Sequence, residues 1–303
     1  MNRTAALAAL LALLIMGASA PKANTMDIPR KWLDIRYASS SRAQMLDIYL
    51  PHNGTGPFPV ILQIHGGAFM EGDKQGGQLS PVLSALARGY AVVAVNYRLS
   101  GEAHFPAAIQ DVKAALRWVR AHAGTYKLDA ARIATWGDSA GATLAVLAAV
   151  SANVPSLSDG GLGNPGMPDT VQAVIGWYGP YEFTSMDAQF LASGSGSAMH
   201  GGPGSAESRF LGATVSQSGD LAATVNPATY LTPDDPPMLL RAGTKDPIVP
   251  VEQTRNFFQA AVKVLGPEKV TLRLLEGAGH GGPAFESAKN LKFVLDWLDR
   301  VFK

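Results

Sequence analysis

Cysteine is absent from this 303-residue chain. Without it, the chain has no disulfide framework, no thiolate nucleophile, no cysteine-ligated zinc site and no lipid-modified cysteine anchor. An excess of charge is also absent, because 25 basic side chains are balanced by 24 acidic ones. We therefore expect neither nucleic acid nor an anionic membrane surface as a partner, since both are bound through concentrated basic charge.

No apolar run after the N-terminal region is long enough to span a membrane. At the N-terminus, Arg3 is followed by the apolar run 5–16 and then by the small residues 17–20. This layout is typical of a secretory signal peptide, because the apolar run is too short to cross a bilayer. We expect residues 1–23 to be removed, which leaves a secreted or periplasmic protein without a stable membrane anchor. The position of the cut stays open because Pro21 directly follows the small residues.

The remaining chain, residues 24–303, alternates strand patterns with helix patterns. Alternating apolar residues predict an antiparallel edge hairpin over 35–50, and apolar runs predict buried strands at 57–64, 90–97, 132–136, 171–177, 238–242 and 270–275. Three- and four-residue spacing predicts helices at 79–88, 106–124, 142–150, 251–264 and 287–302, the first ended by Gly89 and the second by Gly124. This order predicts one α/β domain: a mostly parallel, doubly wound sheet with an antiparallel N-terminal hairpin and helices on both faces.

One segment, at about residues 181–230, does not follow this alternation. Its periodicity fades, and residues 192–205 consist mostly of glycine, serine and alanine. Such a stretch inside an α/β domain is either a cap-like, substrate-facing insertion or a mobile surface loop. The sequence leaves both interpretations open.

A candidate nucleophile lies between a predicted strand and a predicted helix. The pentapeptide Gly137-Asp138-Ser139-Ala140-Gly141 matches G-x-S-x-G, with the strand 132–136 before it and the apolar helix 142–150 after it. A strand that turns sharply into a helix strains the serine backbone and leaves no room for side chains two residues away, which explains the glycines. We therefore interpret Ser139 as the nucleophile of a hydrolase.

A serine hydroxyl needs a base to take its proton and a carboxylate to orient that base. Two histidines follow Ser139 in the sequence. His200 lies in the segment rich in glycine and serine, whereas His280 follows the strand 270–275, so His280 is the predicted base. Asp246 follows the preceding strand and is the predicted acid.

A negatively charged transition state also needs preorganised N–H donors. The loop His65-Gly66-Gly67-Ala68 comes directly after the strand 57–64, at the edge of the sheet where Ser139 is expected. Its glycines permit a close approach of the backbone to a reacting group. We predict an oxyanion hole built from this loop on one side and from the Ala140 N–H on the other.

Taken together, these motifs resemble a known family. Their order is His-Gly-Gly-Ala-Phe from 65, Asn-Tyr-Arg-Leu from 96, Phe-Pro-Ala-Ala from 105 with Asp111, Gly-Asp-Ser-Ala-Gly from 137, Gly-Thr-Lys-Asp-Pro from 243 and Gly-Ala-Gly-His-Gly from 277. The chain resembles the α/β-hydrolase fold serine esterases, in particular the hormone-sensitive-lipase-like esterases and the carbohydrate-esterase-like group of acetyl and feruloyl esterases. The ordered motifs span residues 65–281.

The resemblance implies roles for individual residues. It places the triad on Ser139, Asp246 and His280. It places the oxyanion hole on Gly66, Gly67, Ala68 and Ala140, with the donor N–H groups at Gly67, Ala68 and Ala140. Ala68 departs from the family pattern, which has a third glycine there, and its methyl group would narrow the acyl side of the pocket. Ala142, where a second glycine is commoner, is interpreted as a packing variation.

Further residues carry secondary interpretations. We expect His65 to brace the oxyanion loop by hydrogen bonds, and Arg98 to pair with Asp111 beneath it. Two interpretations stay open for four aromatic residues: they line an acyl or aromatic pocket, or they simply pack in the core. These residues are Phe69, Trp177, Tyr178 and Tyr181. The other histidines show no metal-ligand spacing, so no metal site is predicted.

The expected function is that of a secreted serine carboxylesterase acting through an acyl-enzyme and requiring no cofactor. Its expected substrate is a small-molecule or polysaccharide ester, with a short acyl chain, an acetyl group or a feruloyl group. Two alternatives use the same apparatus, namely arylformamide hydrolysis and peptide cleavage, and a non-catalytic binding protein of the same fold is a third. The oligomeric state is not predictable from these patterns.

Overall fold

The sheet organises the whole domain. The computed structural model describes residues 22–152 and 154–302, so the predicted signal segment lies almost entirely outside the described residues. Eight strands form one sheet in the order β1-β2-β4-β3-β5-β6-β7-β8. Their bounds are β1 (Lys31–Arg36), β2 (Met45–Tyr49), β3 (Phe58–Ile64), β4 (Ala91–Val95), β5 (Leu128–Asp138), β6 (Ala173–Trp177), β7 (Met238–Gly243) and β8 (Val270–Leu275).

The pairing directions match the expected architecture. β1 pairs antiparallel with β2, and β2 pairs antiparallel with β4. All other neighbouring strands are parallel. The predicted parallel sheet with an antiparallel hairpin at its N-terminal edge is therefore confirmed. Parallel strands bring their carboxyl ends to one edge of the sheet, which is where the loops carrying the candidate residues lie.

Ten α-helices lie within the described residues. They are α1 (Leu79–Leu83), α2 (Ala107–Ala121), α3 (Ala123–Tyr126), α4 (Ala140–Val150), α5 (Met186–Ser193), α6 (Ala206–Leu211), α7 (Gly219–Ala223), α8 (Val251–Leu265), α9 (Pro283–Glu286) and α10 (Ala288–Phe302). None of the helices described is both long and apolar enough to cross a membrane.

The strands are apolar on both faces because helices cover both faces. In β3, Val60 and Leu62 belong to one buried cluster together with residues of α2, α4 and α8, whereas Ile61 belongs to a second cluster with residues of α1 and α10. Successive strand residues point to opposite faces, so a strand buried on both sides has no polar alternation. This explains why these strands appear in the sequence as continuous apolar runs.

Two predicted helix boundaries differ from the structure. The long helix ends at Ala121 and not at Gly124, which lies inside the short helix α3. The helix ends because the His122 backbone leaves the helical conformation, with φ −108° and ψ 11°. The ring of His122 stacks on Trp118, and Trp118 O lies within hydrogen-bond distance of both the His122 N–H, at 3.0 Å, and His122 Nδ1, at 2.9 Å. The predicted helix 79–88 changes after Leu83 into a 3₁₀ turn that ends, as expected, at a left-handed Gly89.

The irregular segment 181–230 contains short helices. It includes α5, α6 and α7 and three 3₁₀ turns, separated by stretches without regular structure. Phe210, on α6, is buried and stacks on Phe69 with ring centroids 3.9 Å apart. The segment thus packs against the loop that follows β3.

A buried cluster of cations holds the loop after α4 to α2. Lys113 is fully buried, donates to Ser151 O and lies 3.9 Å from Asp169. Arg117 lies 3.3 Å from the same carboxylate and donates to Leu162 O at 2.6 Å. Burial lowers the pKa of Lys113 to about 8, because the Asp169 charge only partly offsets the desolvation of the ammonium group.

This pKa predicts how stability depends on pH. Between pH 8 and the ordinary lysine value of 10.5, the folded chain binds fewer protons at Lys113 than the unfolded chain does. The wild-type free energy of unfolding should therefore rise across this window relative to that of Lys113→Met, by up to about 1.4 kcal/mol per pH unit. Urea unfolding at pH 7, 8, 9 and 10 measures the difference. Lys289→Met, which alters an exposed lysine of α10, is the control, and an equally steep slope for it would contradict the prediction.

Candidate active site

Ser139 lies at the turn from β5 into α4. β5 ends at Asp138 and α4 begins at Ala140, so a single residue makes the turn. Its backbone has φ 52° and ψ −125°, a conformation that is strained for a residue with a side chain. The Ser139 N–H donates to Trp177 O at 2.9 Å, and the Ser139 carbonyl accepts from Ala142 N at 2.9 Å. Neighbouring elements therefore hold the strained conformation expected from the sequence.

The flanking glycines are required by close backbone contacts. A Cβ atom added to Gly137 would lie 2.1 Å from Gly141 O. A Cβ atom added to Gly141 would lie 2.1 Å from Ile64 O and 2.6 Å from His65 O. All three distances are far inside van der Waals contact, so only glycine allows α4 to approach the end of β3.

The structure brings together Ser139, His280 and Asp246. His280 Nε2 lies 2.9 Å from Ser139 Oγ, and His280 Nδ1 lies 2.7 Å from Asp246 Oδ2. Asp246 is buried, and its other oxygen accepts from Ile248 N at 2.8 Å and Val249 N at 2.9 Å. An ionised carboxylate only accepts hydrogen bonds, so Nδ1 carries the imidazole proton and Nε2 is left to accept from the serine hydroxyl.

The other downstream histidine lies elsewhere. His200 Nδ1 is 2.9 Å from Glu207 Oε1, within the segment 181–230. Hydrogen bonds to Glu207 raise the pKa of His200 above its ordinary value despite the opposing effect of burial. His200 therefore belongs to the packing of that segment, in agreement with the choice of His280 as the base.

The loop after β3 presents backbone amides beside the serine. Within the described residues, the N–H groups of Gly67, Ala68 and Ala140 donate to no other group. Gly66 differs from them because its N–H donates to the side chain of Gln78 at 2.9 Å. Gly66 is therefore part of the predicted oxyanion loop without supplying a free donor, since its amide is already bonded.

The backbone of this loop is left-handed over three successive residues. The φ angles are 119° at Gly67, 53° at Ala68 and 61° at Phe69. Alanine and phenylalanine adopt such angles only when their surroundings enforce them. Gly67 O accepts from Met70 N at 2.9 Å, and Phe69 O accepts from Ser100 N at 2.8 Å. Ala68, which replaces a third glycine, therefore adopts a φ angle that is permitted but strained for alanine.

His65 braces the loop, as expected. Its Nδ1 lies 2.8 Å from Gly66 O, and its ring stacks on Tyr97 with centroids 4.5 Å apart. Burial lowers the pKa of His65, so the ring is neutral and donates this hydrogen bond. Because a peptide is planar and trans, holding Gly66 O also fixes the direction of the Gly67 N–H.

The predicted pair beneath the loop is present. Arg98 makes two hydrogen bonds to Asp111, from Nε at 2.9 Å and from Nη2 at 2.8 Å, and its backbone N–H makes a third at 2.8 Å. Asp111 is completely buried and also accepts from Gln44 at 2.7 Å. A bidentate, buried pair of this kind fixes geometry far better than an exposed one.

The four aromatic candidates separate into two groups. Trp177 packs on Trp136 in the core below the sheet edge, and Tyr181 packs on Phe257 in the core of the other face. Of the two interpretations left open by the sequence, core packing therefore applies to Trp177 and Tyr181. Phe69 belongs to the oxyanion loop, and the ring of Tyr178 lies 4.6 Å from that of His280.

Asp138, directly before the serine, contributes little charge to the site at neutral pH. Its side chain is buried, and its Oδ2 has no hydrogen-bond partner in the part of the chain that the structure describes. Burial raises the pKa of this carboxyl to about 8. No cluster of three or more metal-ligating side chains occurs among residues 22–152 and 154–302.

Comparison with known proteins identifies the family. The BD-FAE family model matches residues 46–261, well over half of the chain. The chain belongs to the BD-FAE family. The matched region contains the β3 loop, the strand-turn-helix around Ser139 and Asp246, while His280 follows it.

Solved structures similar to this BD-FAE chain share its fold. A truncated carbohydrate esterase from gut microbiota is 28% identical, with a TM-score of 0.83 over 93% of this chain and 99% of that one. A bifunctional GH43-CE protein of Bacteroides eggerthii is 33% identical, with a TM-score of 0.82 over 90% of this chain and 35% of that one. The predicted α/β-hydrolase fold and the resemblance to carbohydrate esterases are confirmed.

Curated relatives include the probable carboxylic ester hydrolase LipM of Mycobacterium tuberculosis. It is 37% identical over 233 residues, which cover 74% of this chain and 50% of LipM. The chain spans about half the length of the curated relatives it matches, with 58% and 59% for LipQ and LipC.

Sequence patterns miss one contact of this BD-FAE site. Gln78 reaches the Gly66 amide from twelve residues away. A single glutamine in a loop carries no periodicity or motif, and only the folded path of residues 65–78 reveals it.

The close contacts of Gly141 predict a cost for any side chain. We expect Gly141→Ala to lower the free energy of unfolding by about 1–3 kcal/mol or more, because its methyl would overlap Ile64 O. Gly124→Ala is the matched control, since open space surrounds that position in α3 and alanine favours helices. Urea unfolding followed by circular dichroism measures both. Equal stability of the two variants would contradict the packing argument.

Proposed function

We propose that this protein is a serine carboxylesterase that cleaves esters through an acyl-enzyme. One observation carries the proposal: the hydrogen-bonded line Asp246–His280–Ser139 ends beside three amides that have no acceptor among the described residues. A nucleophile, a base, an orienting carboxylate and an oxyanion hole are the parts that acyl transfer needs. The esterase names of the relatives support the same reaction class.

Acylation begins at Ser139. As Oγ attacks the ester carbonyl, His280 Nε2 takes the hydroxyl proton, and the imidazolium that forms is stabilised by Asp246 through Nδ1. The carbonyl oxygen becomes an oxyanion that accepts hydrogen bonds from the amides of Gly67, Ala68 and Ala140. His280 then returns the proton to the leaving alcohol as the carbon–oxygen bond breaks.

Deacylation repeats these steps with water. His280 takes a proton from a water molecule, whose oxygen attacks the acyl carbon of the Ser139 ester. The same amides stabilise the second oxyanion, and Ser139 Oγ leaves with the proton from His280. The products are a carboxylic acid, an alcohol and free enzyme.

The proposed substrates are esters with small acyl groups, including acetyl groups on polysaccharides, and export is proposed on the layout of residues 1–23. Two structural neighbours, the truncated carbohydrate esterase from gut microbiota and the bifunctional GH43-CE protein, support a carbohydrate ester. The methyl group of Ala68 in its left-handed conformation adds bulk at the oxyanion loop. Phe69 is buried under Phe210, so this loop is not free to open towards a long acyl chain.

Removal of the nucleophile tests the reaction class. We expect Ser139→Ala to reduce kcat on p-nitrophenyl acetate by at least about 10⁴-fold, since the other triad members cannot replace the attacking oxygen. Initial rates at saturating ester measure this, and labelling by a fluorophosphonate probe should disappear as well. Ser195→Ala, which changes an exposed serine of the segment 181–230, is the control and should react normally. Wild-type turnover by Ser139→Ala would refute the assignment.

Acyl-chain length tests the substrate class. We expect kcat/KM to be highest on acetyl or butyryl p-nitrophenyl esters and at least about tenfold lower on octanoyl esters, because each mismatched methylene costs roughly 1–3 kcal/mol in a closed pocket. Feruloyl esters are assayed in the same series. A maximum at octanoyl or longer chains would show that the acyl pocket is open.

A further inference from the structure

The side chain of Gln78 lies in an unexpected place. Gln78 occupies the position directly before α1, where polar side chains commonly cap the helix, yet it makes no capping hydrogen bond. Its Oε1 instead accepts from the Gly66 N–H at 2.9 Å. The Gln78 side chain therefore bonds the loop after β3 and does not cap the helix that it precedes.

Gly66 lies between Gln78 and the nucleophile. A Cβ atom added to Gly66 would lie 3.1 Å from Gln78 Nε2, 2.7 Å from Asp138 O and 3.1 Å from Ser139 Cβ. The space beside the Gly66 Cα is thus bounded by the serine, the Asp138 carbonyl and the glutamine amide. Gln78 therefore contacts the backbone that lies directly beside the nucleophile, and it also bonds the N–H of that backbone.

The loop needs such external contacts because its own conformation is unfavourable. Residues 67–69 all have positive φ angles, and two of them carry side chains. Glycine at 66 adds rotational freedom directly before the donor amide of Gly67. Both peptide planes that meet at Gly66 must be fixed if the Gly67 N–H is to point in one direction.

The structure shows what fixes each plane. The peptide between Gly66 and Gly67 is held through Gly66 O by His65. The peptide between His65 and Gly66 is held at its carbonyl by Tyr97 Oη at 2.8 Å and at its N–H by Gln78. Among the described residues, Gln78 is the group that bonds the Gly66 amide, and its hydrogen bond completes the set.

We propose that Gln78 is a positioning residue for the oxyanion hole. It orients the Gly66 peptide so that the Gly67 and Ala68 N–H groups converge on the oxyanion. This inference rests on the proposed esterase function. Because it acts on charge that develops only in the transition state, loss of Gln78 should lower kcat and leave KM nearly unchanged.

The experiment compares two glutamines of the same loop. Gln78→Met keeps the length of the side chain but removes the acceptor. Gln75→Met is the matched control, because Gln75 Nε2 donates to Asp47 at 2.9 Å and the side chain makes no hydrogen bond to the oxyanion loop residues 66–69. On p-nitrophenyl acetate, we expect Gln78→Met to lose about 10- to 100-fold in kcat with KM within about twofold of wild type, and Gln75→Met to keep its kcat.

A second readout separates positioning from a merely structural role. Phenylboronic acid forms a tetrahedral adduct on the nucleophilic serine and so reports on transition-state binding. Its inhibition constant should rise for Gln78→Met in proportion to the loss of kcat/KM, and should not change for Gln75→Met. If Gln78→Met does not fold, Gln78→Asn is used, since its amide is one methylene too short to reach Gly66 while its polarity is retained.

The outcomes distinguish this inference from the proposed function. Wild-type activity that is abolished by Ser139→Ala establishes the esterase before the glutamines are compared. Given that activity, equal kcat for Gln78→Met and Gln75→Met, or a loss confined to KM, would overturn the positioning role alone. An inactive wild-type enzyme would instead overturn the proposed function.

Discussion

The close approach of Gly141 to the end of β3 is the constraint on which the site depends. Because the first turn of α4 rests directly on the carbonyls of Ile64 and His65, the nucleophile at the start of α4 and the loop at the end of β3 share one small volume. A methyl group at that contact would separate them. Backbone packing between adjacent strands therefore sets the position of the proposed nucleophile relative to the proposed oxyanion donors.

Around this contact, burial controls which groups carry charge. His65 is kept neutral and donates to the loop, and Asp138 is kept largely protonated beside the serine. Asp246 accepts two backbone hydrogen bonds in addition to the one from His280. These three hydrogen bonds stabilise a carboxylate that is buried away from water. The proposed reaction thus has a single carboxylate in line with its base, while the carboxyl next to the nucleophile does not compete for the proton.

Sequence patterns predict most of the fold because the central strands of this sheet contain continuous apolar runs. The edge strand β1 has no such run and begins at Lys31, before the predicted hairpin range 35–50. The same patterns predict Ser139, Asp246 and His280, since order along the chain and position after a strand suffice to select them. Patterns fail where a side chain acts outside its own element. The Gly66 amide is bonded by the Gln78 side chain, and Trp177 and Tyr181 pack in the core. Each of these depends on a contact that only the folded chain creates.

The stack of Phe69 on Phe210 joins the least regular segment of the chain to the loop that carries the oxyanion donors. Surface loops generally tolerate sequence change. In this protein that tolerance is restricted at Phe210. Replacement of Phe210 would remove a contact that supports the strained backbone of residues 67–69, so a change in the segment 181–230 would also alter the proposed oxyanion hole.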